Sequence, residues 1–124
     1  MIKFVQCIRR RVELSPLEFH RSWDQYRQAV DAVAKATQAV RVSASRTLAV
    51  PQNTLVMEAR GTEKPFDGVI EVWWERGADV IEALDQPTVR TPLEAMRRLQ
   101  SPFMDLKHSR FFFTSEGVLF EREE

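Results

Sequence analysis

A chain of 124 residues that is 44% apolar and 29% charged can bury about two-thirds of its unfolded surface in one core, and residues 1–124 read as a single domain. Eighteen Lys and Arg balance eighteen Asp and Glu, so the basic excess that a nucleic-acid backbone selects is missing. One cysteine, Cys7, and no C-x-x-C pair exclude a disulfide scaffold and fit a reducing, cytoplasmic compartment. No 18 apolar residues run together, which speaks against a membrane span. Arg9, Arg10 and Arg11 follow the apolar N-terminal run rather than precede it, the reverse of a signal peptide.

Met1 to Arg11 alternates loosely, with Ile2, Phe4 and Ile8 on one side and Val5 and Cys7 on the other, which predicts a strand apolar on both faces. Ser15-Pro16-Leu17-Glu18 then predicts a helix start: Ser15 caps, Pro16 takes the first helical position and Glu18 completes a capping box. Leu14 and Phe19 can staple it. Phe19, Trp23, Tyr26, Val30, Val33 and Thr37 recur at alternating spacings of four and three, one apolar stripe over about five turns. Residues 39–50 read as a second strand, and residues 51–65 as a long loop holding at most a turn of helix over 53–59. Residues 66–75 form the third strand, placing Ile70, Val72 and Trp74 on one face and Val69, Glu71 and Trp73 on the other. A short helix over 79–84 follows. Thr91-Pro92-Leu93-Glu94 repeats the capping pattern and starts a helix through Gln100. Residues 110–120 close the chain as the fourth strand.

This order of elements predicts an α+β fold, the ferredoxin-like split βαβ arrangement, with a four-stranded antiparallel sheet and helices on one face. Strands apolar on both faces leave Trp73 and Phe111 or Phe112 as a large apolar patch in water. Packing two such sheets face to face removes it, so a homodimer is expected, pairing as a dimeric α+β barrel.

The segments Ile2-Lys3-Phe4-Val5, Leu14 to Trp23, Pro51-Gln52-Asn53, Phe66 to Trp74 and Ser109 to Phe113 together resemble the EthD family, over nearly the whole chain. The resemblance implies a dimeric α+β barrel whose superfamily includes cofactor-free monooxygenases, an isomerase, and dehydratases or cyclases acting on small, often cyclic molecules. It implies a pocket between the sheet and the long helix, no cofactor, and a place in a catabolic pathway, while leaving the reaction class open. Two histidines common among relatives are replaced here by Arg27 and Arg46. A guanidinium stays protonated and grips a carboxylate, which points away from proton transfer there and toward an anionic ligand.

The candidate site residues follow. Arg27 and Arg46, with Trp23, Tyr26 and Trp73, are expected to bind the substrate. Asp67 and Glu71 share a face of the third strand with Trp73, where an apolar setting raises a carboxyl pKa and suits a general acid or base. Against this, Trp23 and Tyr26 are ordinary core residues by spacing, the carboxylates can pair with Arg41 or Arg46 across strands, and His20 and His108 suit a solvated surface. Cys7 reads as core. No metal-ligand constellation is present, the two histidines lying 88 residues apart, and isolated glycines make no phosphate loop. Three functions remain. The first is a cofactor-independent oxidoreductase, isomerase or dehydratase. The second is a carrier of a small metabolite without chemistry, and the third a dimer with a filled core. A buried titrating group facing a cavity marks the first, an apolar cavity alone the second.

Overall fold

The computed structural model describes residues 1–123. Strands β1 (Ile2–Ile8), β2 (Arg41–Arg46), β3 (Gly68–Trp74) and β4 (Arg110–Ser115) form one antiparallel sheet in the order β2-β3-β1-β4. Helices α1 (Pro16–Ala36), α2 (Pro51–Arg60), α3 (Gly77–Leu84) and α4 (Pro87–Arg98) occupy the connections. The α+β class and the split βαβ topology are those expected, with α1 and α4 packed together over one sheet face.

Helix α1 begins as its sequence dictates. The Ser15 hydroxyl accepts from the Glu18 N–H at 3.1 Å, and the Glu18 carboxylate accepts from the Ser15 N–H at 3.2 Å; together they satisfy two donors that the first turn leaves open. Its stripe of Phe19, Trp23, Tyr26, Val30 and Ala34 is buried against the inward-facing residues of β1 and β3, among them Ile8, Ile70, Val72 and Trp74. Trp23 sits over Gly68 so closely that a Cβ there would lie 2.4 Å from its ring. At the far end of α1, the Trp74 indole donates to the carbonyl and hydroxyl of Thr37, each at 3.2 Å.

Two helices depart from the expected pattern. The segment expected to be a loop from 51 holds all of α2, with Pro51 in its first turn and Gly61 in the left-handed conformation (φ 66°) ending it. Both are helix punctuation, but α2 buries none of its residues, so it has no apolar stripe to read. Helix α4 starts at Pro87 rather than at Thr91, and Pro92 lies inside it. Pro92 donates no backbone hydrogen bond, yet Val89 and Met96, both buried on α4, draw the helix through it. The edge strands are shorter than the runs 39–50 and 110–120.

The sheet face turned away from the helices is not uniformly apolar, contrary to the patch expected for Trp73. Trp73 is only 7% exposed, because Arg41 and Lys3 cover its ring at 4.6 and 5.4 Å and its N–H donates to Glu116 at 2.5 Å. Lys3 also pairs with Glu71 at 2.8 Å. Phe112 shares this face by register and is 44% exposed, whereas Phe111 and Phe113 turn to the helix side.

Replacing Gly68 by alanine drives a methyl group into the Trp23 ring, an overpacking expected to lower stability by about 1–3 kcal/mol. Gly117→Ala, where nothing lies within 4 Å, serves as the neutral control. Chemical denaturation of both variants beside the parent protein gives the comparison.

Candidate functional site

A cavity of about 330 Å³ lies between the inward sheet face and the helices, under the C-terminal half of α1. Phe4, Val72, Trp74, Phe111 and Phe113 supply its sheet side, while Val33, Leu93 and Met96 supply part of the helical side. This composition follows from the fold, since inward strand positions and the α1 and α4 stripes are apolar for the sake of the core. Apart from the Trp74 indole, only Gln6, Thr37, Arg97 and Gln100 among the lining residues are polar, and among the described residues no Asp, Glu, His, Cys or Lys lines it. Among the lining residues, Arg97, Leu84 and Phe113 are exposed, Phe113 at 55%, and they mark where the cavity meets solvent. The Arg97 guanidinium has no hydrogen-bond or ion-pair partner among the described residues.

The polar end is organised by Tyr26. Its hydroxyl donates to the Gln6 side-chain carbonyl at 2.5 Å and accepts from the Gln100 amide at 3.0 Å. Tyr26 and Gln6 are 0% and 1% exposed, and burial of the phenol pushes its pKa up to about 12 despite those two hydrogen bonds. Gln6 is visible in the sequence as the one polar residue among the inward positions Ile2, Phe4 and Ile8. Arg97, in the last turn of α4, and Gln100, just after it, carry no comparable signal.

The seven residues singled out from the sequence fall in four places. Trp23 and Tyr26 are core, and Tyr26 reaches the cavity only through its two glutamines. Arg27 is half exposed, pairs with Asp24 at 3.5 Å, and borders a shallow surface hollow beside β2. Glu71 and Trp73 lie on the opposite sheet face, in the cluster with Lys3 and Glu116. Asp67 and Arg46 come together with Arg10, His20 and Lys64 in an open cleft of about 620 Å³ walled by α2. There the Asp67 carboxylate is held by the Arg10 backbone N–H at 2.7 Å. Asp67 and Glu71, four residues apart along an extended chain, are separated by about 13 Å of backbone and are not a carboxylate pair. His108 lies at the surface, 2.7 Å from Asp105, and this hydrogen bond holds the Asp105 carboxyl below its usual range. Burial, and then the charge of Glu71, push the Cys7 thiol up; a raised thiol is a poor nucleophile.

Because Tyr26 is the only tyrosine, its ionisation can be followed alone. A folded-state pKa raised from 10.0 to about 12 contributes stability that is complete below pH 10 and is lost as pH rises toward 12. Tyrosinate absorbance is expected near pH 12 in the native protein and near pH 10 in denaturant. A native midpoint at 10 would mean that the phenol is open to solvent.

No protein-family model and no curated protein sequence matches the chain. Solved structures match its fold. A dimeric protein of ferredoxin-like fold from Bacteroides fragilis covers 93% of this chain and 95% of its own at TM-score 0.63 and 10% identity. An ethyl tert-butyl ether degradation (EthD) family protein from Bacillus halodurans covers 94% and 99% at TM-score 0.55 and 12% identity. SnoaB, a cofactor-independent oxygenase from Streptomyces nogalater, covers 97% of each chain at TM-score 0.52 and 18% identity. Identities this low establish architecture and nothing finer. The chain has the ferredoxin-like α+β fold.

Proposed function

We propose that this protein binds a small aromatic or cyclic anion in the cavity between its sheet and helices. The observation that carries this reading is the cavity itself. It is apolar and aromatic, with one unpartnered guanidinium, Arg97, at its mouth, the pattern of a site that excludes water from a ring and meets a carboxylate at the rim. Arg97 takes the anchoring role assigned from sequence to Arg27 and Arg46, neither of which lines the cavity. Binding without chemistry is the favoured class, because the cavity wall offers no group that titrates near neutrality. A cofactor-independent oxidoreductase is the second reading, supported by the fold likeness to SnoaB. In that case the ligand's own acidity, rather than Asp67 or Glu71, starts the reaction. An isomerase or dehydratase, which must move a proton, has less support.

We also infer a homodimer formed through the open sheet face. Phe112 is partly exposed there, and Val118, Leu119 and Phe120 extend exposed beyond β4. The Bacteroides neighbour with the same fold is dimeric.

Calorimetry with 2-naphthoate and its neutral methyl ester tests the binding reading. The acid is expected to bind better than the ester, and Arg97→Met to remove that advantage, a loss of about 1.5 kcal/mol for a hydrogen bond to a charged group. Leu93→Trp, which fills the cavity, should abolish binding of both. Binding that survives this filling lies elsewhere, and oxygen uptake with either compound would favour the second reading.

The dimer is tested by sedimentation at micromolar concentration, where about twice 14.4 kDa is expected. A monomer there removes the sheet-on-sheet assembly.

A further inference from the structure

Gln6 is a buried amide whose hydrogen-bonding capacity is only half used. A strand interior facing a core favours apolar residues, and a buried primary amide is retained only where partners satisfy it. Its carbonyl accepts from Tyr26, but its NH₂ group donates to nothing among the described residues, although the side chain is 1% exposed and lines the cavity. Gln100, also lining the cavity, uses its NH₂ group toward the Tyr26 oxygen, and its side-chain carbonyl accepts nothing among the described residues.

The Tyr26 hydroxyl has a single proton, so the relay from Gln100 through Tyr26 to Gln6 has one direction. Whichever direction it runs, one amide is left with a free donor and the other with a free acceptor. Both residues line the same cavity, and the Tyr26 hydroxyl ties them together. Tyr26 touches no ligand in this arrangement; it is a positioning residue that fixes which amide gives and which takes.

Resting on the cavity as the binding site, we propose that the Gln6–Gln100 pair recognises an un-ionised group on the ligand that both accepts and donates one hydrogen bond, a ring hydroxyl or lactam. An anion suits this end poorly, because the free carbonyl would face it. Arg97 stands at the mouth, so the site is polarised, and the ligand enters with its neutral polar edge inward and its negative charge toward solvent.

Three probes separate the contributions: 2-naphthoate, 6-hydroxy-2-naphthoate and 6-methoxy-2-naphthoate, whose 6-substituent lies opposite the carboxylate. In the parent protein the hydroxyl is expected to tighten binding about tenfold over 2-naphthoate, the upper range for a neutral hydrogen-bonded group. The methoxy group, which accepts but cannot donate, should gain less. Gln100→Leu, which removes the acceptor and leaves the Gln6 donor, should reduce the hydroxyl advantage to that of the methoxy group, each read as a ratio to 2-naphthoate in the same variant. Tyr26→Phe, which frees both amides to turn, should reduce the advantage without abolishing binding. Gln100 is only partly buried, so its variant keeps the test open if Tyr26→Phe does not fold. A merely structural relay would change affinity for all three probes alike. If 2-naphthoate binds and the hydroxyl confers no advantage, the amide pair holds only water and this inference falls while the cavity reading stands. If none of the three binds, both fall.

Discussion

The contact between the Trp23 ring and the backbone of Gly68 sets the distance between the long helix and the sheet. A glycine on the inward face lets the N-terminal half of α1 settle onto β3, where any side chain would hold it off. Farther along, the sheet presents Trp74, Val72 and Phe4 instead, and the helix meets them with the smaller Val30, Val33 and Ala34. The helix is therefore seated at one end and supported at the other by large residues, and the space that results is the cavity. Core packing and site formation are one event here: the same inward residues that bury α1 line the void beside it.

Polar chemistry enters this void by a narrow route. Tyr26 is held in the stripe by its ring, against Phe103 at 5.3 Å, and its hydroxyl would be left unsatisfied without Gln6 and Gln100. The buried relay thus answers a need of the core, and in doing so leaves two amide groups facing the cavity. On the other side of the sheet, Lys3, Arg41, Glu71 and Glu116 enclose Trp73 in a charged shell. That shell keeps the indole out of water within the monomer, although each surface ion pair in it contributes little by itself.

What the sequence made legible was the part governed by periodicity and capping. The stripe from Phe19 to Val30, the Ser15–Glu18 box and the alternation in β1 and β3 each follow from burial on one side, and together they determine the topology. Helix α2 escaped because it buries nothing, and the start of α4 was misplaced because Pro87 and Pro92 both offer a first-turn signal that only the packing of Val89 decides between. The site was less legible. Charged residues drew attention as functional candidates, yet Arg27, Arg46, Asp67 and Glu71 sit on three separate surfaces, while the groups lining the cavity are two glutamines and an arginine with no motif around them. Spacing along the chain says which face a residue shares; it does not say where two elements diverge enough to leave room.

Helix α2 also bears on how this chain can change over time. Because its ten residues contribute no side chain to the core, substitutions along it are not filtered by packing as those along α1 are, and only its Pro51 and Gly61 boundaries constrain the backbone. The segment can lengthen, shorten or change charge at a small entropic penalty. It forms one wall of the cleft holding Arg46 and Asp67, so that cleft is the part of the surface most open to divergence, while the cavity beneath α1 is tied to the sequence that makes the fold.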